Sequence, residues 1–167
     1  MKDRPAFGDR TLRDVLTALA SDAASPGSGA AAAATLAFAA ACAGKALAIS
    51  RKHRPADDAM TLAEGRLAGL VTRALERADA DSALFEKFIH SNDTQTGAEL
   101  LQADASTQAL TRELATILSD IDAAIHPTVA GDLAAARILL SATSLIQARI
   151  RAENQRAARD RGQCASS

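Results

Sequence analysis

Aromatic side chains are nearly absent from this chain of 167 residues: four Phe, no Tyr and no Trp, a fraction of 2%. That scarcity argues against single-stranded nucleic-acid binding, which relies on stacking platforms, and leaves Ala, Leu and Ile to fill the interior. The runs of β-branched and aromatic residues that strands require are missing too. A composition rich in Ala and Leu favours helices in close approach, so the expected fold class is all-α. Neither sign of charge dominates: 19 Lys and Arg face 20 Asp and Glu, a net charge of -1, so no overall field steers the chain to nucleic acid or an anionic membrane. Cysteine is scarce as well. Cys42 lies in an apolar stretch and Cys164 in a polar tail, without the spacing of a disulfide framework or a zinc site. No phosphate-binding loop or dinucleotide fingerprint occurs, so no metal, nucleotide or tightly bound cofactor is expected. The first 22 residues carry Lys2, Asp3, Arg4, Asp9, Arg10, Arg13 and Asp14, which do not suit a secretory signal; a reduced, cytoplasmic setting is the expectation.

What the chain does have is SPGSGAAAAATLAFAAACAGK, Ser25 to Lys45. The 22 residues Ala23 to Gly44 are uncharged and long enough to span a bilayer. Twelve of them are Ala, only Leu36 and Phe38 are large, and Pro26 to Gly29 break the first third, so the stretch lacks the Leu, Ile and Val content that drives insertion. It is expected instead to be a thin, buried helix over Ala30 to Ser50, covered on several sides, some of them by a second subunit. The helix should end before Arg51, Lys52, His53 and Arg54, where the backbone dipole favours cations.

Elsewhere the periodicity predicts four more helices and one domain, residues 1–158, followed by a flexible tail, 159–167. Thr11 to Ala20 places Leu12, Val15, Leu16 and Leu19 on one face. Ala56 to His90 carries a stripe from Met60 to Ile89, with Gly65 and Gly69 spaced for a close helix contact. Ser91 to Gly97 reads as a loop. Within Ala98 to Ile125, Leu110, Leu114, Ile117, Leu118, Ile121 and Ile125 repeat on one face. The break HPTVAGD, His126 to Asp132, places Asp132 to cap a last helix from Leu133 to about Arg156, with Leu133, Ile138, Leu139, Leu145, Ile146 and Ile150 as its apolar positions.

Taken together, SPGSGAAAAATLAFAAACAGKALAISRK, DADSALF (Asp79 to Phe85) and HPTVAGDLAAA (His126 to Ala136) resemble, in order, segments of the cyclodeaminase and methenyltetrahydrofolate cyclohydrolase family, the C-terminal half of formiminotransferase-cyclodeaminase. The resemblance runs from about Thr11 to Asn154. It implies an antiparallel helical bundle that forms a homodimer, acting on the methenyl or formimino group of a tetrahydrofolate-type pterin by water addition or by loss of ammonia. Ser28 and Ala30 stand where the family carries Gly and Ser, Gly131 where it carries Ser, His126 where it carries Asn, and Leu145 near its late Arg. The segment after Phe88 is shorter than in typical members. The alternative is therefore a member that keeps the fold and binds a pterin or a partner subunit without turnover.

The candidate residues follow from the chemistry. A carboxylate can stabilise a cationic one-carbon bridge and exchange protons with water or nitrogen, and Asp132 is the first choice for that role beside its plainer role as a cap. Lys52 would assist in binding or in placing water, with His53 beside it, since clustered cations hold carboxylates well. His126 can titrate near neutrality. Pro26, Gly27, Ser28 and Gly29 would shape a pocket at a helix N-terminus, or simply form the turn. Asp79 and Asp81 sit two apart on a helix and point to different faces, so at most one faces a shared cavity; Asp81 is the closer match to the family segment. Cys42 reads as a packing residue.

Overall fold

A computed structural model describes residues 5–54, 57–90 and 94–164. Among them five α-helices and no strands occur: α1, Leu12–Leu19; α2, Ser28–Arg51; α3, Asp58–His90; α4, Thr94–Asp120; and α5, Ala130–Cys164. The expected all-α bundle is what forms. Helices α2 to α5 run up, down, up and down. The N-terminal ends of α2 and α4 meet the C-terminal portions of α3 and α5 around one cavity. At the opposite end Arg51 of α2 pairs with Glu64 of α3, and Lys45 of α2 pairs with Asp132 of α5. The order around the bundle is α2, α3, α4, α5, with α2 packed most extensively against α3 and α5.

The thinness of α2 is what this packing uses. Ala30, Ala32, Ala33, Ala39, Ala40, Ala43 and Ala46 are buried together with Leu36 and Leu47; a side chain no larger than a methyl group lets neighbouring backbones come close. Leu67 and Leu70 of α3 and Leu114 and Ile117 of α4 fill the centre. By length and hydropathy both α2 and the stretch Pro127–Ala157 are long and apolar enough to cross a membrane, and 56% of the α2 window is buried inside the bundle against 22% of the other.

Several local expectations are corrected. Helix α4 begins at Thr94, so the expected loop holds at most over 91–93, which lie outside the described residues. Helix α5 starts at Ala130, which places Asp132 in its first turn and not at the cap. The cap residue of the preceding 3-10 turn is His126, whose ring accepts from the Thr128 N–H. Helix α5 also continues past Arg156 to Cys164, as a run of Ala, Arg and Gln favours. Its buried face is Leu133, Ala136, Thr143 and Gln147, while Ile138 and Leu145 are 68% and 73% exposed. Leu139 and Leu140 are half-buried against the same core. Gly65 and Gly69 are exposed, and a Cβ at either would meet nothing within 4 Å, so they make no close helix contact within the chain. Leu12, Leu16, Leu62 and Ile89 are likewise exposed where periodicity placed them inward.

The N-terminal segment folds back over α2 and α3. The Asp79 carboxylate accepts from the Phe7 N–H at 3.0 and 2.8 Å, and Thr11 caps α1 by accepting from the Asp14 N–H. The two aspartates of DADSALF therefore divide their roles: Asp79 tethers this segment and Asp81 is free for the other face.

Candidate functional site

The turn before α2 is anchored before it is shaped. Ser25 and Pro26 are buried, and the Ser25 hydroxyl donates to the Ser82 carbonyl on α3 at 3.2 Å. Gly27 is the N-cap residue in an extended conformation, with no side chain to satisfy the first amides of α2. Those amides are available to an oxygen from elsewhere, and the Asp81 carboxylate takes the one on Ala30. Gly29 makes this possible, because a Cβ on it would overlap the Asp81 carboxyl, whereas a Cβ on Gly27 would rest 3.8 Å from the Ala24 carbonyl oxygen. The glycine at 29 is thus required by close approach, and the one at 27 is not.

Gly27, Ser28, Gly29 and Asp81 line a cavity of about 150 Å³ at this end of the bundle, together with Phe85, Leu100, Ile150, Glu153 and Asn154. Desolvation pushes the Asp81 carboxyl above its ordinary value; the Arg77 guanidinium opposes that, nearby Asp104 adds to it, and the Ala30 N–H opposes it. Asp104 is raised by desolvation too, against a hydrogen bond from Asn154, 3.2 Å, and the charges of Arg151 and Arg77. Arg77 reaches the Ala103 carbonyl with one terminal nitrogen at 3.5 Å, while its Nε is buried without a hydrogen-bond partner among the described residues. The result is a half-buried pair of carboxyls, shared by a guanidinium, beside the N-terminus of a helix. Asp104, Asn154 and Arg77 were not singled out from the sequence; the available signal was a lone charge, Asp104, one turn beyond Leu100 on the inner side of α4.

The other predicted residues gather at the far end of α2. Asp132 Oδ1 lies 3.4 Å from Lys45 Nζ, with side chains 28% and 64% exposed. Lys52 follows the last residue of α2 and is exposed. The His53 and His126 rings stack at 4.3 Å and 23°, and the His126 N–H donates to the buried Ser50 hydroxyl at 2.8 Å. At 1.5 Å of rise per residue, Gly29 and Lys52 are about 35 Å apart along α2. Within one chain the structure therefore brings together the glycine turn and Asp81, and separately Asp132, Lys52, His53 and His126, but not the two groups.

A second, apolar groove of about 260 Å³ runs between the N-terminal segment, α2 and α3, and Arg10 is the charged residue in its lining. It contains none of the predicted site residues.

A family model described as formiminotransferase-cyclodeaminase matches residues 11–148, a span that takes in α2, Asp81 and the turn before α5. No curated protein matches the chain.

Proposed function

The chain belongs to the formiminotransferase-cyclodeaminase family, and on that premise we propose that it acts on the one-carbon bridge of a tetrahydrofolate-type pterin as a cyclohydrolase or cyclodeaminase. The observation that carries this is the approach of the Asp81 carboxyl to the Gly29 backbone inside a cavity at a helix N-terminus. Both reactions pass through a cationic, amidinium-like carbon. In water addition a C–O bond forms at that carbon, the proton leaves the water, and the ring opens as a C–N bond breaks and its nitrogen is protonated. In the deaminase direction the arylamine nitrogen outside the pterin ring attacks the formimino carbon and loses its proton, and the C–N bond to the imino nitrogen breaks as that nitrogen, protonated, departs as ammonia. Each route needs a group that takes up and returns a proton near neutral pH. A carboxyl whose pKa is raised by burial suits that exchange better than a fully solvated one, and its anion offsets the charge of the cationic carbon.

Asp132 and Lys52, which one chain does not bring to Asp81, supply the second part of the proposal from the other copy of a homodimer, Asp132 beside the cationic carbon and Lys52 holding a substrate carboxylate or placing water. The protein works as a homodimer in the cytoplasm, with the exposed Phe38 face of α2 as its contact. No metal or tightly bound cofactor takes part. The engagement of Asp132 by Lys45, with Ser28 and Ala30 in the turn, favours one other reading, a protein that binds a pterin without turnover.

The test is spectroscopic: purified protein should remove the methenyl absorbance of methenyltetrahydrofolate faster than buffer, and Asp132→Ala should slow it. Equal rates for wild type and buffer end the cyclohydrolase form of the proposal, and calorimetric binding of the folate without turnover supports the alternative.

A further inference from the structure

Arg77 stands on α3 one turn before Asp81 and on the same face of that helix, yet it is not part of the cavity lining to which Asp81 belongs. Its guanidinium reaches across to α4, where a terminal nitrogen donates to the Ala103 carbonyl at 3.5 Å, next in sequence to Asp104. That is its one hydrogen bond among the described residues, and its Nε is buried without an acceptor. A buried N–H left unmade lowers stability, and a guanidinium free to move would lay two N–H groups on a carboxylate. Arg77 is held short of that: it acts on both Asp81 and Asp104 through its charge and donates to neither.

The other charges around Asp81 are committed elsewhere. On α3, Asp79 holds the Phe7 N–H, and Lys87 pairs with Glu99 of α4 at 2.8 Å. Helix α2 presents an uncharged first turn and the Ala30 N–H. On α5, Glu153 lines the cavity but pairs with Arg149 at 2.7 Å, while Arg151 and Asn154 act on Asp104, Asn154 by a hydrogen bond of 3.2 Å. Two charges remain to act on Asp81 in opposite senses. Arg77 favours its anion, and Asp104 disfavours it while drawing on the same guanidinium.

We infer that Arg77 and Asp104 are an opposed pair of positioning residues for Asp81, with the Ala103 carbonyl holding the guanidinium short of both carboxyls so that Asp81 is never locked as a salt-bridged anion. A directly paired carboxylate is a poor acid near neutral pH, whereas the proposed reactions need a group that gives up a proton and takes it back. The catalytic consequence rests on the proposed function; the opposition of the two residues does not.

The opposition is therefore tested in the free protein, by following the ionisation of Asp81 through its carboxyl carbon resonance in NMR, assigned by its loss in Asp81→Asn. Arg77→Gln should move the midpoint to higher pH, because the anion loses the cation that favours it. Asp104→Asn should move it to lower pH, because a like charge is gone and the guanidinium is no longer shared; the new amide oxygen can still accept from Asn154, so the fold should hold. Arg77→Lys should bring the midpoint back toward wild type. A residue that only supports the fold does not produce shifts of opposite sign. Any other pattern of midpoints overturns the opposition, and if Arg77→Gln does not fold, an unmoved or raised midpoint in Asp104→Asn overturns it alone. In turnover, the limb of the kcat/KM profile that Asp81→Asn abolishes should follow the same two shifts, with KM unchanged because neither side chain lines the cavity. A profile that stays fixed while the midpoints move overturns the positioning role. A wild type that turns over no methenyltetrahydrofolate refutes the proposed function, while the carboxyl titration still decides the opposition.

Discussion

The two ends of α2 carry the same kinds of side chain, carboxylates beside cations, in opposite surroundings. At the N-terminal end Asp81 and Asp104 are half-buried around Arg77, and desolvation outweighs the guanidinium for both, so both carboxyls are raised. At the C-terminal end a half-buried Asp132 meets the 64% exposed Lys45, a pair with one partner in water and of the kind worth at most about 1 kcal/mol. The first arrangement costs some stability; the second costs little and contributes little. Residue type alone does not separate them, and enclosure does.

The sharpest way to break this contrast is Asp81→Asn. The amide oxygen can still accept from the Ala30 N–H, so the fold should persist while turnover falls by about 10²- to 10⁴-fold, the usual worth of a general acid–base group. Stability should move the other way. Because the folded carboxyl titrates above its ordinary 3.8, its contribution is complete below that pH and is lost as pH rises through the raised value. The Tm advantage of the Asn variant over wild type should therefore be larger at neutral pH than near 3.8, with Asp104 leaving some residual slope in both. A constant difference across that range would mean that Asp81 is solvated.

Next in size, Gly29→Ala forces a methyl group into the Asp81 carboxyl and should cost about 1–3 kcal/mol, as overpacking does. Gly27→Ser, two residues away, should change stability by no more than about 0.5 kcal/mol; thermal denaturation of the pair separates close approach from mere turn formation. At the other end, Ser50→Ala removes the buried hydroxyl that accepts from the His126 N–H. Its loss should cost about 1–2 kcal/mol, also read from denaturation. Lys45→Ala should have the smallest effect, under about 1 kcal/mol and shrinking with added salt. A larger loss would show the open end to be as tightly organised as the enclosed one.

Much of this was legible beforehand, for reasons that can be given residue by residue. The inner positions of α4, Leu110, Leu114, Ile117 and Leu118, and Ile121 just after it, are all buried as their spacing implied, because that helix packs large residues on a single face. On α5 the rule held only in part: Leu133 is buried and Leu139, Ile146 and Ile150 are half-buried, while Ile138 and Leu145 point outward and the small Ala136 and Thr143 are fully buried. Spacing put Asp79 and Asp81 on different faces, and the choice of Asp81 came from its match to the family segment. The Asp104, Asn154 and Arg77 cluster was not legible, since it forms only when α3, α4 and α5 converge and no local pattern records that. Nor did spacing along the chain reveal that Asp132 and Lys52 stand a helix length from Asp81.

The most direct measurement is the rate of methenyltetrahydrofolate ring opening by wild type and by Asp81→Asn, with circular dichroism on both. If the enclosed end carries the proton transfer, wild type outpaces buffer and the folded Asp81→Asn protein loses about 10²- to 10⁴-fold of the protein-dependent rate, as expected for an acid–base group. A folded Asp81→Asn protein that retains the wild-type rate would contradict it.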